Sequence, residues 1–83
     1  MTYKEAVAFL GAQDRRLRKI DKTRFTHDGY EYRLVYEGGF APMVSIERRQ
    51  IGKRNFKYFG GVGVFDCWTI EDAMSRVMDR VNK

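Results

Sequence analysis

Residues 30–37 alternate so regularly that one backbone conformation accounts for them. Tyr30, Tyr32, Leu34 and Tyr36 take every second position, and Glu31, Arg33, Val35 and Glu37 fall between them. A period of two puts the two sets on opposite faces of a strand, one suited to a core and one to water. Gly38-Gly39 follows as a hairpin turn that tolerates positive φ. Pro42 opens a second strand, where a missing amide hydrogen is permitted, with Val44 and Ile46 facing one way and Ser45 and Glu47 the other. Gln50-Ile51-Gly52-Lys53 reads as the next turn, and a third strand is expected over Asn55–Phe59. His27-Asp28-Gly29 reads as the turn before the first strand, and Gly60-Gly61-Val62-Gly63 as the close of the sheet and the start of a connection. The expected product is a three-stranded antiparallel meander.

Helical signals flank this sheet. Thr2 followed by Glu5 is a capping-box pattern, and Tyr3, Ala6, Val7 and Leu10 then recur on one helical face. Gly11 interrupts the run, and Leu17 and Ile20 resume it. Residues 2–20 therefore form either one helix that crosses Gly11 at a cost of about 1 kcal/mol or two helices meeting at a turn. Near the other end, Thr69-Ile70-Glu71-Asp72 is a second capping signal. Ile70, Ala73, Met74, Val77 and Val81 make an apolar stripe, with acids leading and Arg76, Arg80 and Lys83 trailing, as the helix dipole favours. The expectation is a single α+β domain over residues 1–83: an N-terminal helix or helix-turn-helix, three strands, and a C-terminal helix packed on the sheet.

Charge gives this frame a direction. The chain has 83 residues, 16 Lys and Arg against 11 Asp and Glu, and a formal net charge of +5. Two clusters carry the excess. Arg15, Arg16, Arg18, Lys19, Lys22 and Arg24 form the first, and Arg48, Arg49, Lys53, Arg54 and Lys57, with no acid among them, form the second. Cations gathered on one face neutralise phosphates and release their counterions. Aromatic residues interleaved with cations, as in Tyr30-Glu31-Tyr32-Arg33 and Phe56-Lys57-Tyr58, can also stack bases while the cations hold phosphates.

Other chemistries lack their parts. One His and one Cys are too few for a structural zinc site. His27 sits in a turn, and nothing beside Cys67 would lower its pKa. The Gly60–Gly63 run is not followed by the Lys-Ser or Lys-Thr of a phosphate loop. No catalytic residue, metal or cofactor is expected, and the chain reads as non-enzymatic. A lone cysteine and the lack of any apolar run long enough for a membrane span point to a cytoplasmic protein.

The run from Lys4 to Ile20, KEAVAFLGAQDRRLRKI, resembles the helix-turn-helix of phage excisionases and MerR-type regulators. Ala6, Leu10, Leu17 and Ile20 stand where that pattern holds two helices together. The resemblance implies that Arg15, Arg16, Arg18 and Lys19 lie exposed on a helix able to enter a major groove, and that the protein is encoded by a phage or other mobile element. The order helix, three strands, helix is similar also to the double-stranded RNA-binding domain, although Glu71 and Asp72 stand where that family places lysines. Two functions are expected from these features. The first is a basic module that binds nucleic acid, DNA rather than RNA, or a nucleoprotein complex through the two clusters. The second is a small inhibitor of a host defence nuclease, of the anti-CRISPR type, that docks on an acidic protein surface.

Overall fold

Residues 1–13, 20–38, 41–63 and 70–83 are described by a computed structural model, residues 10–13 by their backbone alone. The element order is α1 (Tyr3–Gln13), β1 (Arg24–His27), β2 (Tyr30–Glu37), β3 (Met43–Gln50), β4 (Lys57–Gly63) and α2 (Ile70–Val81). Among the described residues the strands form one antiparallel sheet in the order β1-β2-β3-β4. The three-stranded meander expected from alternation is thus corrected to four strands.

The added strand is β1, and its sequence explains why alternation misses it. Only Phe25 of its four residues is buried, so no period can be read. Just before it, Lys22 takes a φ of 65° and interrupts the extended chain. The segment still follows β2, because Lys22 N donates to Leu34 O and Leu34 N donates to Thr23 O. Asp28 and Gly29, with φ of 49° and 81°, join β1 to β2. Positive φ at both central positions makes this the tight hairpin turn that matches strand twist, and glycine adopts its half without strain.

The third expected strand is shifted as well. It starts at Lys57 and runs through Gly60, Gly61 and Gly63, which alternation alone leaves outside the sheet. Its register changes between Ile46 and Glu47: Ile46 pairs with Gly60 and Glu47 with Tyr58, so Phe59 is the extra residue of a bulge. The bulge turns Phe59 inward beside Gly60, where its ring meets Tyr32 edge-on with centroids 5.9 Å apart. Tyr58 and Phe56 are left on the opposite face.

Both helices cover one face of the sheet. Glu5 N donates to Thr2 Oγ1 over 3.2 Å and the hydroxyl donates to Glu5 Oε1 over 3.0 Å, which fixes the start of α1. The helix continues past Gly11 to Gln13. The second helix of the helix-turn-helix reading falls on residues outside those described, as do Thr69 and Cys67. The α2 stripe of Ile70, Ala73, Met74 and Val77 is buried, and Met78 joins it. These side chains meet Ala6, Ile20, Phe25, Tyr32, Leu34, Val44 and Ile46 in one core. Burying a large apolar side chain contributes about 1.5–3 kcal/mol, so this layer holds the sheet in place. Among the described residues no helix is long and apolar enough to cross a membrane.

Candidate functional site

The sheet face opposite the described helices is a lattice of charge. Alternation sends Glu31 and Arg33 of β2 and Glu47 and Arg49 of β3 to this face, and the β2–β3 register sets them opposite one another. Arg33 Nη2 lies 2.7 Å from Glu47 Oε1, and Arg49 Nη2 lies 3.0 Å from Glu31 Oε1. Glu31 also meets Arg24 Nη1 of β1 at 3.5 Å. Phe56 crosses over these groups, its ring centroid 4.3 Å from the Arg33 guanidinium, 4.5 Å from that of Arg49 and 5.3 Å from that of Arg24. Guanidiniums over an aromatic face are attracted by its quadrupole, so Phe56 clasps three strands together.

This clasp determines where the β3–β4 connection goes. Lys53 N donates to Gln50 O over 2.9 Å and closes the turn. Arg49 Nη1 donates to Arg54 O over 3.0 Å. With Phe56 anchored just beyond, residues 51–55 are held across the end of the hairpin. A groove of about 640 Å³ forms there, lined by all five members of the second cluster, Arg48, Arg49, Lys53, Arg54 and Lys57, together with Tyr58 and Phe59. Its other lining residues, Gln50 and Asn55, are neutral. Among the described residues no carboxylate lines it.

The five cations are not equivalent. Arg48 lies over the rings of Tyr30 and Phe59 at 4.2 and 4.3 Å, and its Nη1 donates to the Tyr32 hydroxyl over 3.5 Å. Arg49 is divided between Glu31, Phe56 and the Arg54 carbonyl. Lys53, Arg54 and Lys57 are exposed, and among the described residues no ion pair engages them. They are the cations of the groove open to an external anion.

The first cluster is brought together only in part. Arg15, Arg16, Arg18 and Lys19 lie outside the described residues. Lys22 is exposed in the turn before β1, away from the groove. Arg24 joins the charge lattice through Glu31 and Phe56. Arg33, expected from sequence only as a cation interleaved with Tyr30 and Tyr32 and outside both clusters, joins the lattice through Glu47. His27 contacts Asn82 Oδ1 at 2.9 Å and thereby ties β1 to the end of α2. Among the described residues no group of three His, Cys, Asp or Glu side chains could hold a metal ion. No family model matches this chain, and neither a curated protein nor a solved structure matches it.

Proposed function

We propose that this chain is a non-enzymatic module that binds nucleic acid, DNA in preference to RNA, and that the phosphate backbone lies in the groove at the end of the β3–β4 hairpin. One observation carries the reading: Lys53, Arg54 and Lys57 stand exposed around a groove that, among the described residues, no carboxylate lines. Unpaired cations give up little internal stabilisation when they take a phosphate, whereas Arg24, Arg33 and Arg49 would first have to leave Glu31 or Glu47. Net positive charge over the molecule supports the approach of a polyanion.

Fluorescence anisotropy with labelled DNA across a salt series tests this. The expected result is an affinity that falls linearly on a double-logarithmic plot. The slope should become shallower by about one for each cation removed in Lys53→Ala, Arg54→Ala and Lys57→Ala. If no DNA or RNA binds the wild-type chain at about 50 mM salt, where such contacts are strongest, the proposal fails and an acidic protein surface becomes the partner to seek.

A further inference from the structure

The groove holds more than cations, and the rings in it and beside it differ in what they can still bind: Tyr58 and Phe59 line it, and Phe56 stands next to it in sequence. One face of Phe56 is occupied by guanidiniums. Phe59 is half-buried between Arg48 and the edge of Tyr32. Tyr58 is 67% exposed, and among the described residues neither a ring nor a guanidinium stacks on it. The bulge aims it to the outer face. Its hydroxyl lies beside Gly61, where an added Cβ would run into Met43 Cε and come within 3.2 Å of that hydroxyl.

An uncovered ring among phosphate-binding cations suits one form of nucleic acid better than the other. In a duplex the bases are stacked on each other, and their faces are closed to a side chain. An unpaired base can stack on a ring while neighbouring phosphates meet lysine and arginine, and such stacking is tolerant of sequence. Duplex reading by a helix needs a cationic helical face, which neither described helix supplies. The charged residues of α1 are Lys4 and Glu5, and α2 opens with Glu71 and Asp72 and sets Asp79 between Arg76 and Arg80.

We propose that the groove takes single-stranded nucleic acid in preference to duplex, with an unpaired base stacked on Tyr58 and the adjoining phosphates held by Lys53, Arg54 and Lys57. This rests on the nucleic-acid reading above and adds the strandedness of the ligand. Tyr58 lines the same open groove as the three cations, so one strand can meet the ring and the cations together.

The experiment compares an oligothymidylate of about 12 nucleotides, within the usual footprint of single-strand sites, with a duplex of the same length. Affinities are measured by anisotropy for the wild type, Tyr58→Ala, Tyr58→Phe and the Lys53, Arg54, Lys57 triple alanine variant. Tyr58→Ala is expected to weaken the single strand roughly tenfold and to leave the duplex unchanged, while Tyr58→Phe retains binding. In the wild type, NMR signals of the Tyr58 ring should move upfield with oligothymidylate and stay in place with duplex. Wild-type preference for duplex, or unchanged single-strand affinity in Tyr58→Ala, overturns the stacking proposal. In either case the phosphate reading stands if the triple variant still loses binding. Absence of wild-type binding to both probes removes that reading too.

Discussion

Glu31 controls how much positive charge the sheet offers. Its carboxylate engages both Arg49 and Arg24 and is itself three-quarters buried. Replacing it with glutamine keeps the shape and removes the charge. Ion pairs that still reach solvent contribute little individually, so Glu31→Gln should lower stability by about 1 kcal/mol in urea denaturation. The same change releases two guanidiniums toward solvent. DNA affinity at low salt should therefore rise, with a steeper salt slope, and an unchanged slope would show that neither arginine reaches a phosphate. Sequence could identify the second cluster but not this division of labour. Arg48, Arg49, Lys53, Arg54 and Lys57 look equivalent in a string of residues. Cross-strand register commits Arg49 to Glu31, 18 residues away, and leaves Lys53, Arg54 and Lys57 open.

At the level of elements, legibility followed how many core residues each element contributes. Tyr32 and Leu34 of β2, Val44 and Ile46 of β3, and the stripe of α2 announce themselves by period because each spans at least two buried positions. Strand β1 contributes Phe25 alone, and β4 uses glycines where a strand usually shows branched side chains. The bulge has no local signature, since it arises from pairing with β3. Phe56 was legible as an aromatic residue between cations, but its place over Arg24, Arg33 and Arg49 depends on three strands meeting. Its removal tests the clasp. Phe56→Ala should cost about 1–2 kcal/mol, as several cation–π contacts vanish together. It should also accelerate amide hydrogen exchange over residues 50–55, whose anchor it is. Equal exchange rates in the two proteins would show that the turn holds itself.

Across the whole molecule α1 packs on α2 and on β1. Thr26 N donates to Met1 O over 3.0 Å, so the N-terminal residues cover the outer edge of β1. Tyr3 packs edge-on against Phe25 with centroids 5.9 Å apart. Burial, and secondarily the carboxylate of Asp79 on α2, raise its phenol above the ordinary value. The neutral phenol thus stabilises the fold fully below a pH of about 10, and this contribution is lost as pH rises through the raised folded value. Tyr3→Phe cannot ionise there. Its urea midpoint should match the wild type near neutrality and exceed it increasingly above a pH of about 10, whereas parallel curves would place the phenol in open solvent. The bulge at Phe59 carries one consequence for heredity. Parity along β4 decides that Phe56 and Tyr58 face outward while Phe59 and Gly60 face the helices, so losing one codon in this stretch would invert every side chain before it. The exposed tip at residues 53–55 has no such parity to protect. In descendants of this chain the interval from Phe56 to Gly60 must therefore be inherited at fixed length, whereas the tip is constrained only by the cations it carries.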